Sequence, residues 1–78
     1  MHGILCMRYD EFTKRIRVKI KRLRLERGLT QEDMDEGEYA ISYRTIQDIE
    51  GGKADPLLKS LYKIAGRLKV QPTELLDV

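Results

Sequence analysis

The chain of 78 residues has no tryptophan, one phenylalanine, one cysteine, one histidine and two prolines. The scarcity of cysteine and histidine closes off two classes of site. A single cysteine, Cys6, cannot form an intramolecular disulfide, and with His2 it offers too few ligands for a zinc site. Both lie in the first seven residues, MHGILCM, which read as a loose segment over 1–9. Without a Ser–His–Asp set or a Gly-rich phosphate loop, no enzyme, cofactor or metal is expected. The acid cluster Glu32–Glu38 fails the calcium-loop pattern, because its glycine falls one place early and no later Glu completes it. Ile4 to Met7 is too short for a signal-peptide core, and no apolar run approaches membrane-spanning length. The expectation is a cytoplasmic protein with no membrane partner.

Charge is plentiful, at 36% of residues, with a net of only +2. Its distribution says more than its total. Residues 1–31 hold nine bases against three acids, 32–50 hold Arg44 against seven acids, and 51–78 hold five bases against three acids. A polyanionic partner must therefore be reconciled with an acidic middle.

The apolar residues recur at helical spacing. Phe12, Ile16, Ile20 and Leu23 form one stripe of a helix over 10–27, which Gly28 stops. Thr30 opens a second helix, with Asp33 completing a capping box, Met34 pointing inward and Gly37 ending or loosening it. The stretch ISYRTIQDIEGG, residues 41–52, reads as a third helix over 43–50: Ser42 is its N-cap, Ile41 and Ile46 its hydrophobic staple, and Gly51 and Gly52 its end. Asp55 and Pro56 open a fourth helix whose inward face is Leu58, Leu61, Ile64, Ala65 and Leu68. Pro72 opens a short fifth helix to Leu76, with Leu75 and Leu76 pointing back. No strand pattern, repeat or dividing linker occurs, so one all-α domain of five helices is expected over 10–78.

Ile46 and Ile49 supply the inward stripe of the third helix, which leaves Tyr43, Arg44, Gln47 and Asp48 on its other side. Two short helices joined by a tight turn, the second opened at Ser42, follow the helix-turn-helix plan. Residues 20–34, IKRLRLERGLTQEDM, and 41–76, ISYRTIQDIEGGKADPLLKSLYKIAGRLKVQPTELL, resemble the phage repressor and Cro-like (Xre-type) helix-turn-helix regulators in order and spacing. The departure lies in DEGEYA, 35–40: Asp35 replaces a small residue, and the segment is one residue longer than the family turn. A shorter second helix or a wider turn is expected there.

The resemblance implies a lambda-repressor-like DNA-binding domain acting as a repressor-like homodimer on palindromic double-stranded DNA. Tyr43, Arg44, Gln47 and Asp48 would then face base edges, with Arg44 suited to guanine and Gln47 to adenine. Asp48 would accept from cytosine or steady Arg44. Thr30, Gln31, Ser42 and Lys53 would flank phosphates, and Arg24 would pair with Glu50 to fix the third helix. Of the bases on the first helix, Arg22 and Arg27 stand nearest the helix-turn-helix end. The dimer surface is expected near Leu75, Leu76 and Val78. The rival expectation is a protein-interaction module or antitoxin on the same fold, with the acids of 32–38 contacting a protein partner.

Overall fold

A computed structural model describes residues 7–78 of the chain; His2, Cys6 and most of the expected loose segment lie outside the described residues. Among the described residues, four α-helices and a 3-10 helix follow one another: α1 (Tyr9–Glu26), the 3-10 helix (Glu32–Asp35), α2 (Tyr43–Glu50), α3 (Leu58–Leu68) and α4 (Pro72–Leu76). The all-α class is therefore as expected, while the second helix is reduced to one 3-10 turn. Its composition explains this. Met34 is the only apolar residue from Thr30 to Gly37, so no amphipathic face exists to hold further turns against the core. The capping box closes that single turn from both sides: the Thr30 N–H donates to Asp33 at 2.7 Å, and the Asp33 N–H donates to the Thr30 hydroxyl at 3.0 Å. The Thr30 N–H, followed by the Thr30 hydroxyl, holds the Asp33 carboxyl below its ordinary pKa, with the Arg67 charge adding to this and desolvation opposing it.

The core joins all the elements. Ile16, Ile20 and Leu23 of α1 meet Met34, Ile41, Ile46 and Ile49, closed beneath by Leu61, Ile64, Ala65, Leu68 and Leu75. Phe12, Leu29, Val70 and Val78 pack at its edge. Burying each large apolar side chain contributes roughly 1.5–3 kcal/mol before entropy is counted. Residues 33–40 are anchored to α3 at two points. Tyr39 lies over Gly66 of α3, where a side-chain carbon would overlap its ring, and packs edge-on against Tyr62 at a centroid distance of 5.9 Å. Arg67 donates to the Asp33 carbonyl at 3.1 Å, bonding an orphan acceptor of the 3-10 turn.

Three expectations about α3 and α4 need correction. Asp55 does not cap the fourth helix: α3 begins at Leu58 with Leu57 as N-cap, and the Asp55 carboxylate accepts from the Tyr9 hydroxyl at 2.6 Å. That bond to the carboxylate is the main reason the Tyr9 phenol is raised above its ordinary pKa. Leu58 is 81% exposed, so it is no part of the inward face. Of the final pair, Leu75 is fully buried but Leu76 is 42% exposed, because one short turn of helix presents only one stripe inward.

Candidate nucleic-acid interface

The eight residues of α2 are fixed at both ends. At its start the Ser42 hydroxyl accepts the Thr45 N–H at 3.2 Å and donates to the Thr45 hydroxyl at 2.8 Å. At its end the chain turns left-handed at Gly52, φ 79°, and the Asp48 carbonyl accepts the N–H groups of Lys53 and Ala54 at 2.8 and 3.2 Å. A β-carbon at Gly52 would be strained at this φ, which favours glycine there. Ile46 and Ile49 are buried, and they set the rotation of the helix about its own axis.

That rotation exposes Tyr43, Arg44 and Gln47 together. The Arg44 side chain is 84% exposed, and its Nε stands 3.4 Å from the half-buried Asp48 carboxylate one turn on. An i,i+4 pair of this kind adds little stability in water. Its consequence is geometric: Asp48 restrains the guanidinium stem while the fork stays open. Gln47 donates weakly to the Tyr43 hydroxyl at 3.4 Å.

Beneath this face lies a closed polar cluster. Arg24 donates to both Glu50 oxygens, from Nε at 2.8 Å and from Nη2 at 2.9 Å, and from Nη1 to the Leu29 carbonyl at 2.7 Å. The pair is almost fully withdrawn from solvent, at 7% and 3% side-chain exposure. Gln31 adds its amide to Glu50 at 3.1 Å. The cluster thus ties the last residue of α2 to α1 and to the start of the 3-10 turn. A bidentate fork permits one relative orientation, so it acts as a register pin as well as a contact.

The remaining candidates are placed less evenly. Lys53 is exposed just past α2, and Thr30 is exposed at the head of the 3-10 turn. Gln31 retains one amide hydrogen beyond its bond to Glu50. Ser42 is exposed, but its hydroxyl hydrogen is given to Thr45. The two α1 bases expected nearest the site are otherwise engaged: Arg22 pairs with Glu26 at 3.6 Å, and Arg27 donates to the carbonyls of Leu68 at 2.6 Å and Leu23 at 3.3 Å. Besides the buried Arg24, a base that stands beside the end of α2 is Arg17, whose guanidinium carbon lies 3.4 Å from where a Gly52 β-carbon would be. Sequence reading passed over it. The usable signal was its spacing from Lys14 and Lys21 along one helix stripe. The acids Asp35, Glu36 and Glu38 are all exposed on the segment before α2. Among the described residues no group of acids, His and Cys is placed to hold a metal ion, and no helix is long and apolar enough to cross a membrane.

Comparison with known proteins agrees with this arrangement. A helix-turn-helix family model matches residues 20–75, from the middle of α1 to α4. The chain is also similar to an uncharacterized HTH-type transcriptional regulator, y4dJ, of Sinorhizobium fredii (strain NBRC 101917 / NGR234), at 39% identity over 54 residues, 69% of either chain. With its paired short helices, its exposed α2 face and a match over most of its length, the chain belongs to the helix-turn-helix family of transcriptional regulators.

Proposed function

We propose that the protein binds palindromic double-stranded DNA as a homodimer and represses transcription, with α2 of each subunit in successive major grooves. The observation that carries this reading is the α2 face. Tyr43, Arg44 and Gln47 are held out together on a helix that is capped, rotationally fixed by Ile46 and Ile49, and pinned at its end by Arg24 and Glu50. Arg44 bonds guanine, Gln47 bonds adenine, and Tyr43 packs on a thymine methyl or a phosphate. Asp48 supports Arg44 and takes no base of its own. Lys53, Thr30 and Gln31 meet flanking phosphates; Ser42 joins them only by turning its hydroxyl from Thr45.

Dimerisation, in this reading, uses the apolar residues that directly follow the α2 loop. Leu57 and Leu58 are 71% and 81% exposed, whereas Leu75, expected at the dimer surface, is spent on the core. Leu57→Glu with Leu58→Glu should give monomers in sedimentation; unchanged dimers would move the interface elsewhere.

Arg44→Ala tests the reading itself. It should relax preference at one base pair per half-site, costing about 1–3 kcal/mol on the specific site. Equal weakening on specific and random duplexes would reassign Arg44 to phosphate. The exposed acids of 35–38 support a second reading, an interaction module or antitoxin that holds a basic protein. Duplex binding followed against salt separates the two: a DNA binder retains duplex at low salt and loses it steeply as salt rises, whereas an interaction module retains none.

A further inference from the structure

The bases along α1 sort by flank. Arg8 stands 3.6 Å from Asp10, Arg15 2.8 Å from Glu11, Lys19 3.2 Å from Glu74 and Arg22 3.6 Å from Glu26. At about 100° per residue these four positions share one side of the helix. Arg24 is buried against Glu50, and Arg27 is bonded to carbonyls. Three bases are left. Among the described residues, Lys14, Arg17 and Lys21 have no carboxylate within 4.0 Å. Their spacing of three and four residues places them on one stripe, on the other flank.

This stripe runs beside the end of α2. Arg17 makes one side-chain hydrogen bond, to the Thr13 hydroxyl at 3.4 Å, and its guanidinium covers Gly52. Lys53 follows at once in the chain and is exposed. Lys14 and Lys21, also exposed, extend the row about 10 Å along the helix, roughly three base-pair rises of a DNA strand. Asp10, one turn before Lys14, is occupied by Arg8 and the Glu11 N–H. Lys14 and Arg17 also precede residue 20, where the family match begins. A base already neutralised by an acid gives up little on meeting a phosphate; an uncompensated one releases a counterion from DNA.

We propose that Lys14, Arg17 and Lys21, continuous with Lys53, form a second phosphate-binding surface that lengthens the DNA footprint beyond α2. The inference rests on the DNA reading of α2. The surface takes the sugar–phosphate backbone of one strand and is blind to sequence. It also accounts for a polyanion partner despite the acidic 32–50 segment, because the compensating charge comes from α1.

The test uses the full chain and a duplex selected by it from random DNA, with affinity followed against salt. Each lost phosphate contact flattens the slope of log K against log salt by about 0.9. The variant Lys14→Gln, Arg17→Gln, Lys21→Gln should flatten it by about 2.7, equally on specific and random duplexes, with base preference unchanged. Lys14→Gln with Lys21→Gln, which leaves the Arg17 contact with Gly52 intact, should give about two-thirds of that. Arg15→Gln with Arg22→Gln removes the same charge from the other flank and should leave the slope nearly as it was. An unchanged slope in the first two variants, while Arg44→Ala still alters base preference, overturns the stripe and leaves the α2 reading standing. Equal flattening from either flank also overturns it, since it makes the effect one of net charge. A native chain that retains no duplex at any salt overturns both.

Discussion

Replacing Arg24 with alanine should be among the costliest single changes in this fold. Three hydrogen bonds are lost, two to Glu50 and one to the Leu29 carbonyl. More important is what stays behind. Glu50, only 3% exposed in the native fold, would be left with the Gln31 amide alone bonded to it, and the Leu29 carbonyl would lose the guanidinium. Breaking one side of a buried pair costs about 3–5 kcal/mol. A domain of this size is stable by roughly 4–12 kcal/mol. The variant should therefore lie at the edge of folding, its midpoint lowered by at least 10 °C or so. Glu50→Ala should cost somewhat less if water reaches the stranded, more weakly hydrated guanidinium. The double variant should cost less than the two singles summed, a coupling of about 1–3 kcal/mol. Urea unfolding followed by circular dichroism reads all four corners without adding salt. The contrast is with Arg22 and Glu26, a solvent-exposed pair on the same helix, where a double-mutant cycle should give under about 1 kcal/mol. If Arg24→Ala and Glu50→Ala gave additive effects of that small size, the buried pair would not be what holds α2 to α1.

Other outcomes follow from contacts elsewhere in the fold. Gly66→Ala puts a carbon into the ring of Tyr39 and should cost about 1–3 kcal/mol, and Tyr39→Ala should relieve part of that in thermal unfolding. Asp33 has a depressed pKa when folded, so it stabilises the fold above its unfolded value near 3.8 and loses that effect as pH falls through the lower folded value. Asp33→Asn should flatten this acid limb in pH-dependent urea unfolding; an unaltered limb would mean that the capping box does not set it. Neutralising Asp35, Glu36 and Glu38 together should raise DNA affinity modestly and only at low salt, without moving base preference. Strong binding that appears only in that variant would mark the acids as a device that excludes DNA, and would favour the interaction-module reading.

Much of the architecture was legible because it rests on periodicity and end signals. Ile16, Ile20 and Leu23 announced α1, and Ser42 with the glycines after Glu50 bounded α2, from residues close together in sequence. The errors came where a distant residue intervened. The Asp55 carboxylate reads as a helix cap until Tyr9, 46 residues away in the chain, is found bonded to it. Arg27 reads as a base free to flank the helix-turn-helix end until its guanidinium is found bonded to the Leu68 carbonyl, 41 residues away in the chain. Leu58 fits a helical stripe by spacing, but it stands at the first position of α3, outside the core it was counted into. The shortened second helix was foreshadowed by DEGEYA, though not the way Tyr39 bridges to Gly66, because nothing local distinguishes a glycine needed for close packing from one that merely ends a turn. In the candidate site, the residues of α2 follow from two buried isoleucines. Arg17 does not, since its significance depends on where Gly52 comes to rest.

Whether the α2 face reads base pairs is decided by selecting bound sites from random duplex DNA with the unmodified chain. The selection should enrich a two-fold symmetric sequence, its half-sites about 10–10.5 base pairs apart, with a guanine in each half whose enrichment disappears when selection is repeated with Arg44→Ala. A pool that stays random through successive rounds, at salt low enough for nonspecific retention, would contradict base reading by α2.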